Sequence, residues 1–397
     1  MNQTNASRLF LASCIALITT SMTFAIRAGM VGKLGTEFQL DNTQLGMIVG
    51  MAALGFPIAT TLGGFFVDQV GMKRWMWLAF GAHVIGLLMT IFASGFWTLY
   101  LSTFLIGFAN GSVEAVCNPL IASMYPDKKI PMLNKFHVWF PGGIVIGALL
   151  GALMTHFSIS WHWQVATILI PTVMYAYLFF GQSFPKTERV TSGVSYGDMF
   201  KAVLSPLFIF MAICMFLTAN TELSTTQWID KLIKGGNALL ILALVNGLMA
   251  VGRYSAGGWV HRFKPVNVLL MSSVFAVLGL YMLRTFEGNM LYVAAIVFAI
   301  GVCFFWPTML GFVSETMPKT GALGLSLMGG AGMLGNWAYQ SFFIGPKLDA
   351  LKVASVSEVD AGRMVLADIN ILPVILVVAF AALYLTKGKL WDKEAIA

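Results

Sequence analysis

The strongest constraint on this chain is a succession of twelve long apolar runs. A helix that crosses a bilayer needs about 20 largely apolar residues. The hydrophobic fraction is 58% and the charged fraction only 10%, whereas about a quarter of a soluble domain is charged. Strand-like alternation is weak, so we predict an all-α membrane protein with twelve transmembrane helices and not a barrel. The runs lie at about 8–32, 43–67, 75–94, 97–124, 134–157, 162–182, 203–228, 237–259, 266–284, 289–313, 319–343 and 367–386.

Several classes of function are disfavoured by the same sequence. The net charge of +7 is spread over short loops, so no nucleic-acid partner is expected. The four cysteines lie inside apolar runs, which predicts free thiols and no disulfides. The first apolar run has no small-residue cleavage site after it, so it is interpreted as a retained span. We find no phosphate-binding loop, metal-ligand cluster or nucleophile–base pair, and therefore expect neither an enzyme nor a cofactor.

An internal repeat divides the chain in two. GGFFVDQVGMKR at the end of span 2 and GGWVHRFKP at the end of span 8 each place a glycine pair before a charged turn. Spans 4 and 10 each contain a proline, Pro119 and Pro307. We predict two pseudo-symmetric six-helix bundles, 1–182 and 203–397, joined by a cytoplasmic linker at 183–202. Two parallel halves are a common plan of transporters.

The distribution of Lys and Arg predicts the orientation. With the N-terminus inside, fifteen basic residues fall on the cytoplasmic side and seven on the outside. The positive-inside rule then favours cytoplasmic termini. We expect a multi-pass protein of a bacterial-type inner membrane, with the lipid bilayer as its surroundings and the monomer as the default.

The turn between spans 2 and 3 carries a motif. Gly64, Asp68, Gly71, Lys73 and Arg74 match the pattern G-x3-D-x2-G-x-[KR]-[KR]. This pattern resembles the signature of the major facilitator superfamily. The resemblance implies two bundles that rock around a central cavity, and Asp68 would make a contact that locks one state. The alternative is that these charges only fix the topology.

The second half carries a weaker copy of this motif that ends at Arg262. Arg253 lies near the inner end of span 8, and Glu315 ends span 10 at a similar depth. We interpret these three residues as part of a cytoplasmic charge network, together with the first motif, and not as ligands.

A second resemblance is local. EAVCNP in span 4 and LNKFH at the start of span 5 are similar to segments of the fucose–galactose–glucose proton symporters. That family uses the span-4 glutamate in sugar binding and proton coupling. An aspartate expected in span 1 is replaced here by Ala28, with Arg27 beside it. The matching positions are Glu114, Asn118, Pro119, Leu133, Asn134 and His137.

Polar residues in span 4 form a candidate site. Asn110, Glu114 and Asn118 are spaced by four, which predicts one polar stripe on a helix. An ionised carboxylate is costly in hydrocarbon, so the stripe is expected to face the bundle interior. Glu114 is then suited to taking and releasing a proton. The alternative is a structural salt bridge that locks spans 1 and 4.

Arg27, toward the outer half of span 1, and Glu222, in span 7, are further charged candidates inside the spans. Arg27 either pairs with Glu114 or binds a carboxylate of the substrate, for which its fork of donors is suited. Glu222 occupies nearly the pseudo-symmetric position in span 7. It is a second proton site, a cation ligand or a hydroxyl acceptor, or it lies near the outer interface and does little.

Further candidates are polar residues suited to hydroxyl-rich ligands. His137 follows Asn134 by three residues and is a proton-coupling or substrate candidate, or else a satisfied interior histidine. His83 is expected to be packed or interfacial. The candidates for the second half of the cavity are Asn246, Asn336, Trp337 and Gln340.

Three functions remain open from the sequence. The first is a secondary transporter that couples protons to the uptake of a small hydroxylated solute such as a sugar. The second is a transporter of an organic anion anchored by Arg27. The third is a sensor that binds a ligand without transporting it.

Overall fold

The computed structural model describes residues 5–125, 129–185, 196–233, 237–255 and 264–386, and within these ranges it is helical with no strand. The N-terminal half comprises α1 (Ala6–Ala28), α2 (Val31–Glu37), α3 (Asn42–Val70), α4 (Met72–Ile91), α5 (Phe96–Met124), α6 (Lys129–His137), α7 (Trp139–His156), α8 (Trp161–Ala166) and α9 (Leu169–Phe179).

The C-terminal half comprises α10 (Tyr196–Val203), α11 (Pro206–Gln227), α12 (Ile229–Leu232), α13 (Ala238–Ser255), α14 (Pro265–Thr285), α15 (Met290–Val302), α16 (Phe305–Thr316), α17 (Gly321–Tyr339), α18 (Gly345–Val353) and α19 (Glu358–Leu385). A 3₁₀ turn, Pro318–Thr320, precedes α17, and a π-helical turn, Gln340–Ile344, follows it.

The expected all-α membrane architecture is confirmed. Ten helices within the described ranges are long and apolar enough to cross a membrane. Two of these ten run through a helix break, from α6 to α7 in span 5 and from α15 to α16 in span 10, and the other two expected spans are interrupted as well. Span 6 is divided into α8 and α9, and span 11 continues from α17 through the π turn into α18.

Local sequence signals explain where the central helices begin. Asp41 accepts a hydrogen bond from the backbone N–H of Gln44, and the Gln44 side chain accepts one from the Asp41 N–H. This capping box starts α3. Ser205 caps α11, whose first residue is Pro206. Gly71 joins α3 to α4 with φ +90°, a conformation that favours glycine.

Glycines on α5 allow close packing against α3. A Cβ added at Gly107 would collide with the backbone of Ala52, and one at Gly111 with the backbone of Phe56. Helices in a membrane associate through such small faces because lipid supplies little hydrophobic drive between them. The glycines beside the predicted polar stripe therefore serve helix packing.

The two halves meet at the face of the molecule opposite the chain ends, which we call the far face. There the start of α3 packs on the end of span 11, and a Cβ at Gly46 would approach the Gln340 carbonyl oxygen to 2.5 Å. Deeper in the molecule, an apolar cluster joins both halves through Phe24, Ala53, Ala219, Leu223 and Met333. This places the region around Arg27 and α11 between the halves.

The predicted linker, 183–202, is only partly described. Residues 186–195 lie outside the described ranges, and α10 occupies the rest of the segment up to Val203. The domain boundaries predicted from the sequence remain a proposal.

Candidate functional site

Arg27 lies at the last turn of α1, between the two halves. Its side chain is buried, with 7% exposure. Nε and Nη2 donate to the same oxygen, Oε1 of Gln227, at 3.2 and 2.8 Å. Its Cζ stands 4.9 Å from the centre of the Phe24 ring. The buried cation is thus held by a neutral amide and a ring face.

The structure does not contain the Arg27–Glu114 pair that the sequence left open. No carboxylate of the described residues makes an ion pair with Arg27. A buried charge is normally paired, because desolvation without a counter-charge costs several kcal/mol or more. The guanidinium therefore carries an uncompensated charge that is suited to an anion.

Glu114 belongs to a hydrogen-bonded chain that the sequence predicted in part. The Glu114 Oε2 accepts a bond of 2.7 Å from Asn118 Nδ2. The Asn118 Oδ1 lies 3.0 Å from His137 Nε2, which reaches it from α6. All three side chains are half-buried. A carboxylate and an imidazole joined by one amide provide two titratable groups in a single chain.

Asn110 lies apart from this chain. Its Nδ2 donates to Thr23 Oγ1 at 3.0 Å, and its Oδ1 lies 2.8 Å from His83 Nε2. The His83 Nδ1 is in turn 3.0 Å from the hydroxyl of Tyr175. Asn110 and Asn118 are eight residues apart, which rotates their side chains by about 80° around the helix. Asn110 therefore faces α1 and α4. Its role in substrate binding stays a prediction.

Glu222 is buried in α11, with 9% exposure. It is five residues from Gln227, which separates the two side chains by about 140° around the helix. Its carboxylate therefore lies away from the Arg27 contact. The positive charge that acts on it is Arg253, whose Nε donates to the Cys303 carbonyl at 2.8 Å.

The amides predicted in span 11 bind one another and α11. Asn336 Nδ2 lies 3.3 Å from Ser224 Oγ and 3.4 Å from Asn220 Oδ1. Gln340 Nε2 donates to Asn336 Oδ1, and Trp228 Nε1 donates to Gln340 Oε1 at 3.3 Å. These groups are buried. They form a polar seam between α11 and α17, one turn from Gln227.

The remaining substrate candidates take different positions. Asn246 is buried in α13 and donates to the Leu242 carbonyl at 3.0 Å. Trp337 is half-buried in α17 and packs edge to face on Phe342, with 5.4 Å between the ring centroids. Asn134 lies in α6, but its side chain is outside the described set. Their roles stay predictions.

The gating motif is described in part. Gly64 and Asp68 lie in α3, and their side chains are outside the description. Gly71 forms the turn between α3 and α4, and the exposed Lys73 and Arg74 follow it in the first turn of α4. The motif thus lies at the face that carries the chain ends.

The charge network expected around Arg253 takes another form. Arg253 contacts the break between α15 and α16 through Cys303. Glu315 is exposed on α16, and the described residues include no ion pair between the two. Arg262 lies outside the described ranges. Arg253 therefore acts on Glu222 and satisfies a backbone oxygen at a helix break.

The structure contains a contact across the far face that was not predicted from the sequence. We call this contact, between Asp349 and the start of α3, the latch. Asp349 of α18 accepts hydrogen bonds from the backbone N–H groups of Asn42 and Thr43, at 2.9 and 2.7 Å. The side chains of both residues donate to it as well, at 2.9 and 2.6 Å. A carboxylate from one half thus caps the first turn of α3 in the other half, where the helix dipole favours negative charge.

Partial burial raises the pKa of Asp349, and the bonds from Thr43 and Asn42 lower it by more, so the pKa lies below its usual 3.8. The latch is therefore intact above pH 3.8 and is lost as the pH falls through the lowered pKa. From pH 5 to 8 we expect no change in its strength.

Replacing Asp349 with asparagine is expected to open the far face. The asparagine amide has no charge, and its N–H₂ group would face a hydrogen-bond donor of Asn42 or Thr43. This weakens the closed state by about 1.5–3 kcal/mol. The open population should then rise about 10-fold or more. Ser341→Cys, in a chain without other cysteines, reports the opening, because Ser341 is buried at this interface. The maleimide labelling rate of the purified protein is the readout.

Asp360→Asn is the matched control, because Asp360 lies on the same face and pairs with Arg363 of its own helix. A cysteine at Val353, which is 87% exposed, should be labelled equally in every variant. Equal labelling of Ser341→Cys with aspartate or asparagine at 349 would show that the latch does not hold the face closed.

The contacts of three participants were not predicted from the sequence, although Trp228 was a weaker cavity candidate and Gln227 belongs to the polar end of span 7. Gln227, Trp228 and Asp349 carried no motif, and each acts on a residue more than 100 positions away. The signal that was present is the polar end of span 7, which reads ANTELSTTQW. An apolar span that becomes polar marks a site but does not identify its partner.

Comparison with known proteins identifies the family. The model of the Major Facilitator Superfamily matches residues 9–338. A D-xylose transporter of Levilactobacillus brevis is 23% identical over 227 residues, which is 57% of this chain and 48% of that protein. A hexuronate transporter of Bacillus subtilis (strain 168) is 26% identical over 202 residues, 50% of this chain and 45% of that protein. The chain thus matches about half the length of these relatives.

A solved structure agrees on the fold. The crystal structure of a D-xylose-proton symporter superposes with a TM-score of 0.77 at 14% identity, covering 94% of this chain and 97% of that one. The family match spans most of the chain. This protein belongs to the Major Facilitator Superfamily.

Proposed function

We propose that this member of the Major Facilitator Superfamily is a proton-coupled transporter, and not an enzyme, that takes up a small hydroxylated anion such as a sugar acid. Arg27 carries the proposal. Its buried guanidinium has no carboxylate partner among the described residues. The hexuronate transporter among the relatives is named for a substrate of this class.

An anionic ligand would stabilise the buried Arg27 guanidinium more than a neutral one. A guanidinium in a low-dielectric interior is stabilised most by two parallel bonds to a carboxylate, and Gln227 supplies only one neutral oxygen. The substrate carboxylate would supply the missing counter-charge. The buried amides between α11 and α17 lie within one to two helical turns of Gln227, and amides suit hydroxyl groups.

Proton coupling is assigned to the carboxylates inside the spans. Glu114 is linked through Asn118 to His137, and Glu222 is buried under the electrostatic influence of Arg253. A carboxylate that alternates between a hydrogen-bonded charged form and a neutral form can bind a proton in one state and release it in the other. We propose Glu114 as the principal coupling site.

A second candidate is proton-coupled transport of a neutral sugar. The Glu114–Asn118–His137 chain favours it, because carboxylate, amide and imidazole groups all form hydrogen bonds with sugar hydroxyls. A galactose-proton symporter of Escherichia coli is also among the relatives. In this case Arg27 would have no role in selecting the substrate.

The fold supports alternating access as the transport mechanism. We propose an N-terminal bundle at 1–182, a linker at 183–202 and a C-terminal bundle at 203–397. The two bundles would rock about the region of Arg27 and α11. In the present state the far face is closed by the latch at Asp349. We place both termini in the cytoplasm and the chain, as a monomer, in a bacterial inner membrane.

The substrate class is tested by competition in proteoliposomes. Glucose and glucuronate differ only in the group at C6, a hydroxymethyl or a carboxylate. We expect labelled glucuronate to enter, with unlabelled glucuronate competing at least about 10-fold better than glucose, since each tenfold is about 1.4 kcal/mol. Equal competition, or uptake of glucose alone, would favour the neutral-sugar candidate.

A further inference from the structure

The contact between Arg27 and Gln227 differs from an ordinary buried ion pair. Gln227 is 3% exposed and Arg27 is 7% exposed, so water does not screen the charge. A carboxylate at the position of the Gln227 amide would neutralise the guanidinium fully. The chain places the neutral isostere there, and the positive charge remains available.

Hydrogen bonds orient the Gln227 amide and occupy one edge of the Arg27 guanidinium. Gln227 Nε2 donates to the Phe24 carbonyl at 3.5 Å, which leaves Oε1 to face Arg27. That oxygen takes the edge formed by Nε and Nη2, and the Phe24 ring covers one face. The described residues accept no bond from Nη1. The terminal edge, formed by Nη1 and Nη2, still presents two parallel N–H groups, the arrangement that binds a carboxylate through two hydrogen bonds.

We propose that Gln227 is the residue that makes this site selective for anions: it positions the Arg27 fork without neutralising its charge. The inference rests on the proposed function, because the bound group is the substrate carboxylate. Gln227 acts through Arg27 and does not itself need to touch the substrate.

The contact also links affinity to the state of the transporter. Arg27 belongs to the N-terminal half and Gln227 to the C-terminal half, and their bond joins the two halves in the state in which the far face is closed. We expect this bond to break when the halves separate at that face. When this face opens, the guanidinium loses its acceptor and both of its edges are free for the incoming carboxylate. Closure returns Gln227 to one edge and weakens the hold on the substrate. A ligand shifts an equilibrium only through such differential contacts.

The test compares two substitutions at position 227 in the purified full-length chain. Gln227→Glu puts a carboxylate on Arg27, and we expect glucuronate binding to weaken about 10- to 100-fold, as for loss of a charge-assisted contact. Gln227→Met removes the acceptor but leaves the charge, so binding should weaken less than about 10-fold. Binding is measured by calorimetry, and thermal unfolding of each variant confirms folding.

A purely structural role gives the opposite order. The glutamate would then pair well with Arg27 and bind glucuronate as the wild type does, while the methionine would be the damaging change. Either result overturns the inference. If the wild-type chain binds glucose but not glucuronate, the proposed anion function fails and the inference with it. If the wild type binds glucuronate and Gln227→Glu binds it equally, only the inference fails.

Discussion

Replacing Arg27 with glutamine is expected to lower the uptake of glucuronate about 100-fold or more. The change removes the only described cation that lies buried without an acidic partner between the halves. Loss of one partner from a buried, hydrogen-bonded charge pair costs about 2–5 kcal/mol, and each 1.4 kcal/mol is about tenfold. Glutamine at 27 can still bond to the Gln227 amide, so we expect the chain to fold.

Two further variants sharpen this prediction. Arg27→Lys keeps the charge but loses the planar fork, and it should retain part of the uptake, about 10-fold below wild type. Lys33→Gln removes one half-buried positive charge, which bonds to Thr155 outside the site, and should leave uptake unchanged. Glucuronate uptake by Arg27→Gln at the wild-type rate would exclude Arg27 as the anion site.

Replacing Glu114 with glutamine is expected to abolish accumulation against a gradient while leaving exchange of substrate across the membrane. Glutamine resembles the protonated carboxyl in size and keeps an oxygen for the Asn118 amide, but it cannot release a proton. The two halves would then cycle with substrate alone. The measurement is uptake into proteoliposomes with an imposed proton gradient, beside exchange of labelled for unlabelled substrate without a gradient.

The control for this prediction is Glu287→Gln. Glu287 is exposed and pairs with Arg363 on the far face, so its loss removes a carboxylate without entering the spans. Full accumulation by the control together with equilibration by Glu114→Gln supports coupling at Glu114. If Glu114→Gln accumulates substrate like wild type, Glu114 is structural, and Glu222→Gln and His137→Gln become the variants to compare.

The architecture was largely predictable because a bilayer imposes its own length on a helix. Apolar runs of about 20 residues indicate spans without any knowledge of packing. What the runs did not indicate is where helices break. The interruption of span 6 at 167–168 and the break between α15 and α16 at 303–304 lie inside predicted apolar runs. Hydropathy does not change at such breaks, so composition cannot mark them.

The site was predictable where its partners are close in sequence or resemble a known segment. Asn118 bonds to Glu114 one turn away, and His137 reaches the pair from the segment that carried the family resemblance. Asn110 does not join them, because eight residues separate it from Asn118. In a helix of 3.6 residues per turn this spacing rotates the two side chains about 80° apart. Gln227 was not assigned to Arg27, because their contact depends on how the two halves are placed.

The most direct test of the account is glucuronate accumulation by the wild-type protein in proteoliposomes, with and without an inwardly directed proton gradient. We predict accumulation above the external concentration that requires the gradient and disappears when a protonophore is added. Entry that only equilibrates, with or without the gradient, would contradict proton coupling. Accumulation of glucose but not of glucuronate would contradict the anion site at Arg27.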